Sequence, residues 1–212
     1  MTVFIYHQMN IKSILNNYST FKEKTLTNRF FKHQDTIPLI QQLPSTFTVQ
    51  HLGSSVNQRN INLIKWGNGQ TKVMLWSQMH GDEATGTLAL FDLFNFLQSD
   101  NELVKLLTAN CEIYIIPMVN PDGAEVFTRR NSQQIDINRD FLNEATPEAK
   151  ILKQCRAEIN PDFGFNLHDQ STLWSVAGSL KPATLSFLAP AIDAALSINE
   201  TRKNAMLVIA DM

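Results

Sequence analysis

The sequence predicts an α/β domain: a mixed, mostly parallel twisted sheet with helices on both faces. Three observations lead there. Short apolar runs of strand length alternate with segments of ten or more residues whose apolar side chains recur every three or four positions. No internal repeat and no low-complexity linker interrupts that alternation. Polar clusters follow the apolar runs, where α/β sheets collect their sites beyond the carboxyl ends of strands.

The elements follow in order. Residues 11–42 are polar and mixed, with Phe21, Phe30 and Phe31 among Lys22, Lys24, Arg29 and Lys32, and read as one or two helices packed on the outside. Residues 1–45 are thus a helical N-terminal extension and 46–212 the α/β core. Phe47 to Leu52 and Asn60 to Ile64 read as a strand pair at a sheet edge. Gly67, Asn68 and Gly69 make a turn into Val73, Met74, Leu75 and Trp76, a buried strand. Thr85 to Gln98 changes to helical period, with Leu88 and Phe91, and Leu90, Leu93, Phe94 and Leu97, at three- and four-residue spacing. Ile113 to Met118 is the next strand, stopped by Asn120, Pro121, Asp122 and Gly123. Thr146, Pro147 and Glu148 start a helix with a capping hydroxyl, a proline at the first position and an acid in the first turn. Phe163 to Leu167 reads as a strand and Leu185 to Ile198 as a helix; Ala205 to Ala210 is an unfinished strand or helix.

Composition narrows the function classes. The chain has 212 residues, 43% hydrophobic and 18% charged, with a net charge of -2. That balance gives no reason to expect nucleic acid or an anionic membrane as a partner. Cys111 and Cys155 have no ligand spacing and read as small buried side chains. No stretch reaches the length of a membrane span, and the apolar run Val3 to Tyr6 is too short for a secretory leader. The expectation is a soluble, cytoplasmic chain.

The chemistry sits in three strand-end clusters. His80 follows a buried strand and Glu83 lies three residues on, where a helix starts; Gly81 eases the turn. An imidazole and a carboxylate are good zinc ligands, and a catalytic zinc takes a third protein ligand while keeping one position open. His168, at the end of another strand, is the third candidate. His7, His33 and His51 lie in segments without such context and read as structural. Between the ligand loops, Asn138 and Arg139 pair an amide with a planar guanidinium, a combination suited to a terminal carboxylate. Arg129 places a second guanidinium where an oxyanion would form, and Asp136 is suited to hold a ligand imidazole by its free N–H.

These residues carry a resemblance. His80-Gly81-Asp82-Glu83, Asn120-Pro121-Asp122-Gly123, Arg129 with Arg130-Asn131, Asp136 to Phe141, and Leu167-His168 stand in the order of the M14 family of zinc carboxypeptidases. Gly53 to Ser55 and Arg59 to Ile61 resemble the strand pair before that family's zinc motif, so the likeness runs from about His51 to Asp169. It implies one zinc ion on His80, Glu83 and His168, with Arg129 as the oxyanion-stabilising arginine and Arg130 as the alternative one residue on. It also implies Asn138 and Arg139 as the carboxylate clamp, with Asp136 behind the first histidine. The implied substrate is a peptide, or a peptidoglycan stem peptide, with a free C-terminal carboxylate. The family's general-base glutamate lies on a later strand and has no match here. The expectation is therefore that the C-terminal part of the family domain is missing and that this piece hydrolyses poorly. Two alternatives share these residues. One is an amidohydrolase of the aspartoacylase or succinylglutamate desuccinylase type; the other is a non-catalytic zinc- and peptide-binding module.

Overall fold

The structure is a computed structural model. It describes residues 12–170, 175, 178–181 and 197–210. The chain divides into two compact units, Asn16–Asp169 and a second formed by Met1–Leu15 with Gln170–Met212.

The larger unit is a five-stranded sheet. Its strands are β1 (Phe47–Ser54), β2 (Asn60–Gly67), β3 (Thr71–Ser77), β4 (Cys111–Ile116) and β5 (Phe163–Leu167). Their spatial order is β1-β2-β4-β3-β5. β1 with β2 and β2 with β4 are antiparallel, while β3 with β4 and β3 with β5 are parallel. The sheet is mixed, as the sequence predicts, and its described pairings divide evenly between the two kinds. The helices of this unit are α1 (Tyr18–Phe21), α2 (His33–Gln41), α3 (Thr85–Leu97), α4 (Glu102–Asn110), α5 (Pro121–Glu125), α6 (Ile137–Asp140) and α7 (Pro147–Ile159).

Alternation along the strands decides which helix covers which face. Ile61 and Leu63 of β2, Met74 of β3 and Ile116 of β4 form one core cluster with Ala149, Leu152, Cys155 and Ile159 of α7. Residues of opposite parity face α3. Phe47 pairs with Trp66 across the β1–β2 ladder and meets Phe94 edge-on at 5.8 Å. Ser77 meets Thr87 of α3 at 2.9 Å. Burying both faces is what lets β3 and β4 read as continuous apolar runs rather than as alternating ones.

Local signals set the helix ends. Thr146 accepts from the N–H of Ala149 and starts α7 as its sequence predicts. α4, which the periodicity reading passes over, starts at Asn101, whose side chain accepts from Leu103. In place of a bare turn at Asn120 to Gly123, the chain forms α5, with Asn120 capping Gly123.

Topology positions the site. From β3 the chain runs through α3 and α4 to β4 on one side, then through α5 to α7 to β5 on the other. Three neighbouring parallel strands therefore send their carboxyl-end loops to the same edge, and the direction of winding changes at β3.

In the second unit, α8 (Glu200–Ala210) starts at Asn199, which accepts from the N–H of Arg202. It resolves Ala205 to Ala210 as helix. The helix predicted at Leu185 to Ile198 lies outside the described residues but for its last two positions. Among the described residues no helix is long and apolar enough to cross a membrane.

Candidate metal centre

The loop after β3 carries His80 and Glu83. The chain leaves β3 through Gln78, a non-glycine residue in the left-handed region (φ 54°). Buried polar contacts hold it there. Its side chain donates to the Gly81 carbonyl (2.9 Å) and accepts from the Thr87 hydroxyl (2.7 Å), while its carbonyl accepts from Asn120 N–H (2.9 Å). The left-handed step is thus at Gln78 rather than at Gly81. Gly81 is needed for a different reason: a Cβ there would lie 2.1 Å from the carbonyl carbon of Gly123. The His80 loop and the Asn120–Gly123 loop touch backbone to backbone, and Asn120 fastens them by donating to the carbonyls of Met79 and Arg129.

His80, Glu83 and His168 converge. One ligand atom from each lies within 4.8 Å of the others. Glu83 Oε1 is 2.8 Å from His80 Nδ1, and Glu83 Oε2 is 2.6 Å from His168 Nδ1. The two rings lie 4.7 Å apart between centroids. His80 is buried, Glu83 half-buried and His168 exposed, so the cluster opens to solvent on the β5 side. Burial opposes ionisation of Glu83, but hydrogen bonds from His168 and His80, with their charges, outweigh it and hold the carboxyl down at about 2.

Asp136 lies behind His80, with Oδ1 3.1 Å from Nε2. Both ring nitrogens of His80 thus meet a carboxylate, Nδ1 that of Glu83 and Nε2 that of Asp136; with the Nδ1 lone pair given to a metal, the ring proton stays on Nε2 toward Asp136. Arg129 Nη1 also lies 3.2 Å from His80 Nδ1. Its guanidinium is anchored on Asp136 Oδ2 through Nε (3.0 Å) and Nη2 (2.9 Å), and Nη1 reaches Glu83 Oε1 at 3.4 Å. Burial pushes Asp136 up, yet the Arg129 hydrogen bond and the neighbouring His80 and Arg129 charges hold it below the usual carboxylate range.

Asp136 also caps α6, accepting from the N–H groups of Asn138 (3.0 Å) and Arg139 (3.3 Å). Asn138 and Arg139 thus sit one turn from the carboxylate behind His80. Asn138 is half-buried; Arg139 is exposed, with no hydrogen-bond or ion-pair partner for its guanidinium among the described residues. Arg130 points elsewhere and donates to the carbonyl of Gln134. Of the adjacent arginines, Arg129 is the one at the cluster. His33 is buried with Nε2 2.9 Å from the Asn60 carbonyl, and His51 lies in β1, away from these loops; His7 lies outside the described residues.

Two imidazoles and one carboxylate meeting at a solvent-open point, one imidazole backed by a carboxylate, form a group that could hold a metal ion and suits zinc. The zinc carboxypeptidase family profile matches residues 34–198. The chain belongs to the zinc carboxypeptidase family. Among curated relatives it is 28% identical over 100 residues to carboxypeptidase 2 of Trichophyton rubrum, a match taking 46% of this chain and 19% of that protein. To the catalytic chain of human carboxypeptidase N it is 25% identical over 143 residues, taking 55% of this chain and 31% of that one. A Pseudomonas aeruginosa metallo-carboxypeptidase, solved with (2-guanidinoethylmercapto)succinic acid, superposes with TM-score 0.60 at 24% identity, covering 65% of this chain and 40% of that one. The zinc carboxypeptidase sheet and its helices are therefore shared, over less than half the length of these relatives.

Residue reading places Gln78 and Asp169 in the strand-end clusters but does not see Gln78 bracing the turn or Asp169 meeting Thr85. Their signals are tertiary: a buried amide, and a carboxylate that only the fold brings to a helix start.

Proposed function

We propose that this chain holds the metal-binding and carboxylate-binding machinery of a zinc carboxypeptidase acting on peptides with a free C-terminus. The observation that carries this reading is the convergence of His80, Glu83 and His168 in front of Asp136, with Arg129 at the rim.

Each residue then has a task. His80 Nδ1, the Glu83 carboxylate and His168 Nδ1 hold the ion. Zinc bound there supplies Lewis acidity toward a carbonyl oxygen and acidifies water at neutral pH. Asp136 keeps the His80 proton on Nε2 and so keeps Nδ1 available. Arg129, held on Asp136 by a hydrogen bond from Nε and an ion pair from Nη2, aims Nη1 at the point where negative charge develops on the scissile carbonyl. Asn138 and the exposed guanidinium of Arg139 grip the substrate's terminal carboxylate, and so set which peptide bond is presented. Glu83 is engaged by both imidazoles and Asp136 by His80 and Arg129, so neither is assigned the role of base.

The test is zinc content together with binding of matched peptides. One zinc per chain is expected, lost in His168→Ala. A peptide with a free carboxylate should bind roughly 10-fold or more tightly than its C-terminal amide, with Arg139→Ala erasing the difference. No zinc, or equal binding of acid and amide, would overturn the reading. Preferential turnover of N-acyl amino acids would select an amidohydrolase instead.

A further inference from the structure

We propose that Arg29 is a positioning residue for this metal centre: a guanidinium from the N-terminal segment that joins the loop carrying Glu83 to the loop carrying His168. The inference rests on the ligand set proposed above. Arg29 lies before residues 34–198, the stretch matched by the family profile.

The joint is built from few atoms. Asp169 follows His168, and its N–H donates to Glu83 Oε2 (3.2 Å), the oxygen that His168 also meets. The Asp169 carboxylate accepts from the N–H (3.1 Å) and hydroxyl (3.0 Å) of Thr85, the first residue of α3. It therefore supplies the cap that Ala84, at the N-cap position, cannot. Arg29 Nη2 closes the joint, donating to Asp169 Oδ2 (3.0 Å) and to the carbonyl of Asp82 (2.8 Å), the residue before Glu83. One nitrogen thus holds the residue adjacent to each of two metal ligands.

Arg29 is itself held in place. Its guanidinium carbon lies 5.3 Å from the centroid of the Phe127 ring, which packs on Phe30 at 4.5 Å. Upstream, Asp92 of α3 accepts from Glu23 N–H and from the Tyr18 hydroxyl, both at 2.6 Å. Leu26 and Phe31, on either side of Arg29, are buried. The segment is docked independently of the metal centre, so it presents the guanidinium rather than being ordered by it.

The arrangement serves the site more than the fold. The Arg29 side chain is 49% exposed, and ion pairs at such exposure contribute little to stability. The loop it fixes follows β5, which among the described residues pairs with β3 alone. Small displacements of one ligand weaken a metal site far more than they weaken a fold. Arginine suits the position because a flat guanidinium lies against an aromatic ring while donating in its own plane.

The experiment measures zinc affinity by competition with a chelating dye, and the melting temperature of the metal-free chain, for Arg29→Met, Arg29→Lys, Asp169→Asn and the double variant Arg29→Met/Asp169→Asn. The methionine keeps an apolar stem on Phe127. Arg29→Met should weaken zinc binding roughly 10-fold, with the metal-free melting temperature nearly unchanged and with Arg29→Lys recovering part of the loss. The double variant should bind no more weakly than Asp169→Asn alone, because the two residues act as one unit. Unchanged zinc affinity in Arg29→Met, or a metal-free melting temperature that falls in step with affinity, would overturn the inference. His168→Ala separates the two failures. If it leaves zinc binding intact, the ligand set is wrong; if it abolishes binding while Arg29→Met does not weaken it, only the role of Arg29 is wrong.

Discussion

At the scale of single residues, the centre depends on how closely two loops approach. Gly81 packs on the Gly123–Ala124 backbone, and neither Gly81 nor Gly123 has room for a side chain. A Cβ on Gly81 meets the Gly123 carbonyl carbon at 2.1 Å, and one on Gly123 meets the carbonyl of Arg130 at 2.7 Å. Main-chain atoms cannot swing aside as a flexible side chain can, so Gly81→Ala must push the loops apart. His80 and Arg129 would separate with them, since Arg129 is held to the Gly81 loop by the Gly81 N–H on its carbonyl. The expected result is a loss of about 1–3 kcal/mol in urea unfolding and a zinc affinity reduced by at least roughly 10-fold. A Gly81→Ala chain that bound zinc normally would mean the loops have slack that this contact denies them.

At the scale of elements, Asp122 joins the β1–β2 hairpin to α5. Its side chain is fully buried and accepts from Ser55 Oγ (2.7 Å), Asn57 N–H (2.9 Å), Arg59 Nη1 (2.8 Å) and Ser132 Oγ (3.1 Å). Burial alone would raise its pKa; the hydrogen bonds from Asn57, Ser55, Arg59 and Ser132 more than offset that and lower it from 3.8. A carboxyl held below its unfolded value stabilises the fold above that value, and the contribution is lost as pH falls through the folded one. Asp122→Asn should therefore cost about 3 kcal/mol at pH 7, and the gap to the unaltered chain should narrow below pH about 4. A gap that stayed constant down to pH 2 would show that Asp122 acts through shape rather than charge. The sequence marks Asp122 only as part of a turn. Its four partners lie up to 67 residues away, and no local pattern announces them. Elements set by periodicity or by a local cap were legible: β5, the start of α7, and α3 from its apolar spacing. The proposed ligands His80, Glu83 and His168, with Asp136 and Arg129, can be singled out in sequence because few residue types suit that chemistry, and the fold brings these five together. Arg29 was not legible. An exposed arginine 140 residues from its carboxylate partner looks in sequence like any solvated charge.

At the scale of the whole molecule, the middle strands of the sheet are covered on both faces, and that covering sets how the fold responds to alkali. Cys155, on the α7 face, is 3% exposed and packs with Met74, Ile116 and Leu152. Burial pushes its thiol up from 9.0 to about 11, with the Glu158 charge adding in the same direction. Tyr114 lies against the same cluster and is raised to about 12 by burial and by its hydrogen bond to Glu112. An acid whose folded pKa lies above its unfolded value holds its proton more tightly in the fold. Its contribution is then fully present below the unfolded pKa and lost as pH rises through the folded one. For Cys155 that window opens near pH 9 and closes near 11; two pKa units correspond to roughly 2–3 kcal/mol. Urea midpoints measured from pH 7 to 11 should be flat to about pH 9 and then fall. Cys155→Ala should lower the whole curve through the cavity it leaves, but flatten its slope between pH 9 and 11. The slope, not the height, is the informative quantity, because a cavity costs the same at every pH while a buried thiol does not. An unchanged slope in Cys155→Ala would assign the alkaline loss to Tyr114 or to the lysines, and the buried thiol would play no part in it.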